Sequence, residues 1–338
     1  MLRGNAREAV AVFFVLSGFV ISHVTDRGKQ DARQYAMARM VRIYSVAVPA
    51  IFSTFLFDHI GMARNAALYG NATYFNANPG IFDVLRALTF TNEIWNEHVI
   101  IGTNEPYWSL GFEVCYYVIF GLFWYLRWRG WAKATLIVAL LLVVGPKIAS
   151  YFPLWLLGVY THKVVIERAK NGVQRRSSIK SWMMFITPLV GYFLLKLALY
   201  ISKFELRPMF DRFEFSTAQF LTIGYFFLVG IFVSAHLIAF PDIAEFRFPS
   251  RVLCKTEKFV RWVAGATFTL YLLHLPILIA MVSILPESYG EKTWACGVVV
   301  GTLVLVGLLA EISERRKQWW RRVISQLFQW VERRDVSI

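Results

Sequence analysis

The sequence predicts an all-α fold, a polytopic transmembrane helix bundle of about nine spans. Three observations predict it. Hydrophobic residues make up 57% of the 338 positions, and mean hydropathy is +0.48. Only 17% are charged, where a soluble domain carries about 25%. Apolar runs long enough to cross a bilayer recur along the whole length, separated by short charged loops. No loop is long enough to bury a core of its own. Residues 1–312 are therefore expected to form one membrane domain, and 313–338 a basic amphipathic cytoplasmic tail.

The expected spans are 9–25, 43–62, 107–126, 133–147, 149–165, 182–201, 217–240, 262–283 and 293–312. Pro146 and Pro153 frame a tight turn between the fourth and fifth. Lys and Arg fix the orientation. The loops 26–42, 127–133, 163–180, 241–261 and the tail from 311 hold 26 of them, and the opposite set holds 9. The positive-inside rule makes the basic set, and with it the C-terminus, cytoplasmic. The net charge of +14 then reflects membrane orientation rather than nucleic-acid binding. Lys196 lies within a span near its outer end and is expected to snorkel. With an inward C-terminus, nine spans leave residue 1 outside, beside Arg3 and Arg7. One further helix ahead of Met1 would return the start to the inside, so the chain is expected to begin late. The alternative is a short translocated tail.

Taken in order, the first span reads AVAVFFVLSGFVIS, and its Ser17 and Gly18 are small enough for close helix contact. No base is evident near Ser17, so packing is the stronger reading of it. The next segment, ARMVRIYSVAVP, puts Arg39 and Arg42 three apart on one helical face. At a membrane boundary such a face suits a phosphate-bearing ligand, which Arg grips with a planar fork. Anchoring to anionic lipid explains the same spacing. Residues 63–105 form the longest external loop, rich in Asn and aromatic residues (Tyr69, Asn71, Tyr74, Phe75, Asn76, Asn78), a composition suited to a carbohydrate or to an ordinary interfacial loop. Asn71-Ala72-Thr73 matches a glycosylation sequon, relevant only in a eukaryotic secretory setting.

Residues 103–120, TNEPYWSLGFEVCYYVIF, run from a polar loop into an apolar span. Tyr107 and Trp108 fall where aromatic anchors occur. Glu113 lies inside the span, where an ionisable group costs about 2.5–3.5 kcal/mol and marks a functional site by default. A Glu satisfied by a neighbouring helix is the alternative. His274, in ATFTLYLLHLPILIA, is about nine residues from the outer end of its span. Counted at about 1.5 Å per residue, Glu113 and His274 come to similar depths, although a lone membrane His is often a packing residue. The remaining histidines, His23, His59, His98, His162 and His236, fall in loops or at helix ends. Cys115, Cys254 and Cys296 are scattered, with no disulfide framework or metal-ligand spacing, and no cleavable signal, P-loop, HExxH or GxGxxG motif is present. In the tail, Trp320, Ile324, Leu327 and Val331 follow a helical stripe among arginines, as in a helix lying on the inner leaflet.

Five blocks in order, FFVLSGFVIS at 13–22, RMVRIY at 39–44, PYWSLGFEVCYY at 106–117, FPLWLLGV at 152–159 and TFTLYLLHLP at 267–276, resemble acyltransferase family three, the integral-membrane O-acyltransferases of bacterial surface glycans. The resemblance implies about ten helices and transfer of an acyl group, usually acetyl, from cytoplasmic acyl-CoA to a sugar hydroxyl. It makes membrane lipid, acyl-CoA (acetyl-CoA) and a glycan or lipid-linked glycan the partners, with no bound cofactor and no nucleic acid. Arg39 and Arg42 match the family's Arg pair linked to the donor. Glu113 matches the Glu of its WSL block, and His274 the His of its Tyr-x-x-His-x-Pro-like block. Asn104, Trp108 and Ser109 are the candidate substrate contacts, and Glu113 and His274 the candidate catalytic groups. The family's first helix, with an Arg and a His regarded as catalytic, has no counterpart after Met1. On that count both an active and an inactive chain stay open, and Glu113 would lack its usual partner. Two rivals remain: a proton-coupled transporter or glycan-lipid translocase, which would use an intramembrane Glu and His equally well, and a non-catalytic remnant. Oligomeric state has no signal in the sequence.

Overall fold

A computed structural model describes residues 6–28, 30–70, 75–170, 179–244, 250–285 and 290–335. Among these the protein is helical, with a single isolated β-bridge between Asn76 and Gly102. The helices are α1 (Ala6–Arg27), α2 (Ala32–Arg64), α3 (Ala66–Gly70), α4 (Ile81–Leu88), α5 (Trp108–Tyr125), α6 (Gly130–Val144), α7 (Pro146–Lys170), α8 (Ile179–Ser202), α9 (Thr217–Ala244), α10 (Ser250–Ala264), α11 (Thr267–Ile284), α12 (Glu291–Ile312) and α13 (Lys317–Asp335). The Asn71 sequon and the side chains of Leu327 and Val331 lie outside the described residues.

Each of the nine expected spans overlaps a helix, and this is an all-α, multi-pass membrane protein. Among the described residues, six helical segments are long and apolar enough to cross a membrane: those of α1, α2, α8, α9 and α11, and the one that runs from α12 into α13. Of the others, α6 is apolar but has only 15 residues. Ser109, Glu113 and five Trp or Tyr residues lower the hydropathy of α5. Lys147, Ser150 and the charged last turn do the same for α7. Helix boundaries follow local chemistry. Asp31 caps α2 by accepting from Gln34 N at 2.7 Å. Pro146 opens α7, where a missing N–H costs nothing. Prolines inside α2, α7, α8, α9 and α11 are tolerated as in other membrane helices.

The chain divides into two compact units. The first comprises Met1–Gln30, Ile94–Glu97 and Val118–Leu253. Here α1 packs against α7 and α9, α8 against α9, and α6 against α7. Gly18 and Gly158 allow the α1–α7 contact. A Cβ on Gly18 would fall 2.1 Å from the Trp155 carbonyl oxygen, and one on Gly158 would fall 1.9 Å from that of Val15. Trp155 Nε1 donates to Ser17 Oγ at 3.2 Å, so Ser17 is a packing residue as expected. The Lys196 ammonium pairs with the buried Glu8 carboxylate at 2.5 Å, and the Tyr225 hydroxyl donates to the same oxygen at 2.7 Å. A carboxylate buried in the bundle demands such a partner more than the lysine demands water. Lys147, at the end of the expected fourth span, is buried inside α7 and donates to the carbonyls of Glu97 and Phe210. Glu8 at the start of α1 meets the end of α8. His162 in the last turns of α7 meets Ser22 and His23 in the last turns of α1. Helix directions thus alternate as the charge pattern requires.

The second unit comprises Asp31–Glu93, His98–Tyr117 and Cys254–Ile338. Here α11 packs against α2 and α12, and α13 packs against α2. Ile324 is buried, so part of the tail's apolar stripe faces protein. Residues 63–105 are largely structured, carrying α3 and α4. The eighth span starts at Thr267 rather than 262. The preceding residues form the separate α10, broken from α11 at Gly265-Ala266. Its charges fall on a helical face, a pattern that a hydropathy window averages into a loop.

Candidate active site

The site is built on α2, α5 and α11 of the second unit. α2 begins at Ala32, well before the expected span, so Arg39 and Arg42 sit within its first three turns. α5 also departs from expectation. Asn104 Nδ2 donates to Thr54 Oγ1 at 2.9 Å, and Thr103 donates to Asp58 through its backbone N at 2.8 Å and its Oγ1 at 2.5 Å. Thr54 is ten residues before the end of α2, about 15 Å along the helix axis. The segment Ile101–Tyr107 therefore dips into the unit beside α2 before α5 begins. Non-helical backbone at membrane depth is tolerated because protein surrounds it. Ile101, Thr103, Asn104, Tyr107 and Trp108 are all buried. Tyr107 donates its hydroxyl to the Ala87 carbonyl at 3.0 Å. Neither Tyr107 nor Trp108 is the interfacial anchor that its position suggested.

This dip carries Glu113 deeper than a count from Pro106 implies. Ser109, Glu113 and Tyr117 recur every four residues and share one face of α5. Glu113 and Ser109 are fully buried. The Tyr117 hydroxyl donates to Glu113 Oε1, and the Arg42 guanidinium lies within electrostatic reach of that hydroxyl. Arg42 lies within electrostatic reach of Glu113 and Glu314, and its guanidinium is 5.5 Å from the Phe268 ring centre. Arg39 lies 5.9 Å from the ring of Tyr35 and 5.6 Å from that of Tyr117. The Tyr35 hydroxyl in turn donates to the Tyr117 carbonyl at 2.9 Å. Two arginines and one carboxylate thus converge on a single tyrosine.

From α11, Tyr271 bonds to the Ser109 side chain and lies within electrostatic reach of Glu113. His274 is one turn further along α11, half-buried, and its Nδ1 faces the carbonyls of Leu270 at 3.2 Å and Tyr271 at 2.8 Å. With Tyr271 beside Ser109, Glu113 lies one turn further along α5 and His274 about one turn the other way along α11, so the equal depths expected for them do not hold. α11 is itself fixed by Glu314. That carboxylate accepts from the backbone N of Phe268 at 3.1 Å and of Thr269 at 3.3 Å, at the positive end of the helix. Thr269 Oγ1 and Ser313 Oγ add a contact of 2.8 Å.

The structure places the candidates as follows. Arg39, Arg42 and Glu113 come together. Ser109 lies on the Glu113 face, where Tyr271 reaches it. Trp108 packs edge-on against Phe112 at 5.1 Å. Asn104 fastens the dipping segment to α2, and its buried Oδ1 has no hydrogen-bond partner. The spacing did not single out Tyr117, Tyr271 or Glu314. Tyr117 was legible in principle, because it is one turn past Glu113 on the same helix. Tyr271 and Glu314 depend on contacts between distant segments. Chemically, the arrangement combines fixed cations with a buried carboxylate. The Nε atoms of Arg39 and Arg42 are buried without hydrogen-bond partners. Such donors suit a phosphate-bearing ligand, whose oxygens would bring the acceptors.

The model of a family described as an acyltransferase domain matches residues 2–311. A curated relative, acyltransferase MdmB of Streptomyces mycarofaciens, is 31% identical over 154 residues, which are 43% of this chain and 36% of that protein. The match thus spans about a third of the relative's length. No solved structure matches.

Proposed function

This chain belongs to that acyltransferase family, and from this premise we propose that it moves an acetyl group from acetyl-CoA to a hydroxyl of a bacterial surface glycan. One observation carries the reading: Arg42 and Glu113 converge on the Tyr117 hydroxyl, with Arg39 against the same ring. In the proposed reaction Arg39 and Arg42 hold the phosphates of the donor, for which a planar fork suits better than a point charge. The acceptor hydroxyl loses its proton to a base as its oxygen attacks the thioester carbonyl carbon. The new C–O bond forms, the C–S bond breaks, and the thiolate leaves with a proton. Glu113, buried and oriented by Tyr117, balances the charge that develops on the base. Arg42, beside Glu113, keeps that carboxylate from being an uncompensated buried charge. Ser109 lies on the Glu113 face of α5, where Tyr271 of α11 approaches it. Membrane lipid, acyl-CoA and a glycan or lipid-linked glycan are the partners in this reading. The basic loops face the cytoplasm of a bacterial inner membrane, and the donor comes from that side.

The experiment is Glu113→Gln, which keeps the shape of the side chain and removes the charge. Transfer of labelled acetyl to the glycan is expected to fall by about 10²-fold, the lower range for a positioned catalytic group. Expression and thermal unfolding should remain close to the parent. Full transfer by a well-expressed Glu113→Gln protein would refute the assignment.

A further inference from the structure

Beside the dipping segment, the outer half of α2 and the stretch 75–79 enclose an open groove of about 530 Å³. Phe52, Phe55, Leu56 and Met62 of α2 form one wall, and Phe75 to Pro79 form the other. Asp58, His59, Asn76, Asn78 and Gly102 add its polar surface. The floor is rigid. Asn76 N donates to Gly102 O at 3.2 Å and Asn76 Nδ2 donates to Ile100 O at 3.2 Å. Gly102 has φ +55°, and a Cβ there would fall 2.0 Å from Asp58 Oδ2, so only glycine lets the backbone close over that carboxylate.

We propose that this groove binds the saccharide acceptor, one sugar ring lying between Phe52, Phe55 and Phe75 with its hydroxyls on Asp58, Asn76 and Asn78. The inference rests on the acyl-transfer reading and adds the place where the acceptor is held. Three observations support it. First, the mixture of surfaces fits a sugar: a pyranose has apolar C–H faces and a rim of hydroxyls, and the groove has aromatic walls beside amides and a carboxylate. Second, the hydrogen-bonding capacity is present. Asp58 is buried and accepts from Thr103 through each oxygen, and a carboxylate retains further lone pairs for a hydroxyl. Asn76 commits its Nδ2 to Ile100 and keeps Oδ1 as an acceptor. A lipid chain in the same place would cover these groups and offer them nothing. Third, one segment of chain joins the groove to the site. Gly102 lines the groove, and the chain runs from there through Asn104 into α5 and Glu113. The volume lies within the range of small-molecule sites and suits a mono- or disaccharide.

The test uses the full chain in lipid nanodiscs and a panel of methyl glycosides of glucose, galactose, rhamnose and N-acetylglucosamine. Saturation-transfer NMR reads sugar binding, and equilibrium dialysis of labelled acetyl-CoA reads donor binding in the same samples. At least one glycoside is expected to receive saturation on its C–H protons. Ala77→Trp, which fills the groove from an exposed position, and Asn78→Ala should each weaken that binding by about tenfold. Acetyl-CoA binding should be unchanged, which also shows that the variants are folded. A parent protein that binds acetyl-CoA but no glycoside overturns the groove assignment and leaves the acyl-transfer reading standing. A protein that binds neither overturns both. Glycoside binding unaffected by Ala77→Trp, with bound lipid lost instead in native mass spectrometry, identifies a lipid groove and overturns the proposal.

Discussion

Replacing Tyr117 with Phe removes one oxygen atom from the centre of the site. The ring that faces Arg39 stays, and so does the backbone carbonyl that accepts from Tyr35. Glu113 loses the donor to its Oε1, and Arg42 loses a polar neighbour. A hydrogen bond to a charged group contributes about 1.5–3 kcal/mol. If one such bond holds Glu113 in its working geometry, the rate falls by roughly 10- to 150-fold, at about 1.36 kcal/mol per decade. The assay is initial-rate transfer of labelled acetyl to membrane glycan, with thermal unfolding as the check on folding. A cycle with Glu113→Gln separates the causes. If Tyr117 acts through Glu113, the double variant is little slower than Glu113→Gln alone. Activity of Tyr117→Phe within about twofold of the parent, a cost well under the value of one such bond, would refute the reasoning. Effects that multiply in the double variant would refute the coupling.

Three further outcomes follow from the same contacts. Arg39→Lys and Arg42→Lys should each raise KM for acetyl-CoA by about tenfold with a smaller change in kcat, because the planar fork is lost and the charge kept. Unchanged donor KM would remove the arginines from donor binding. Lys196→Met should lower stability by about 3 kcal/mol, since buried Glu8 loses its cation. Adding Glu8→Gln should recover much of the loss in thermal unfolding. No recovery would mean that packing, not charge, governs that contact. Gly158→Val should destabilise the α1–α7 contact by about 3 kcal/mol or more, because its Cβ would overlap the Val15 carbonyl. A melting temperature equal to the parent's would show that the helices can separate at no cost.

The long helices were legible because each carries its own apolar length, and Pro146 marked the break between α6 and α7. Hydropathy reports composition along one segment, so it missed α10, whose mean composition is polar. It also could not report the Glu8–Lys196 pair, whose members lie 188 positions apart. The candidate site was legible to the extent that chemistry shows in residue type. A carboxylate in an apolar helix and two arginines on one face were visible before any fold. Their meeting was not, because it depends on where α5 begins. Counting from the loop placed Glu113 level with His274. The bonds from Thr103 and Asn104 to α2 lower the start of α5 and bring Glu113 to Arg42 instead. Tyr117 joins them at a distance of one helical turn, and only its partners reveal its use.

The most direct measurement follows the acetyl group itself. Purified protein in proteoliposomes is given acetyl-CoA labelled in the acetyl carbons, together with glycan from the bacterial surface. The account predicts label in the glycan as a base-labile ester, dependent on the protein and lost in Glu113→Gln. Glycan that crosses the membrane without gaining label would contradict it, as would equal labelling by the Glu113→Gln protein.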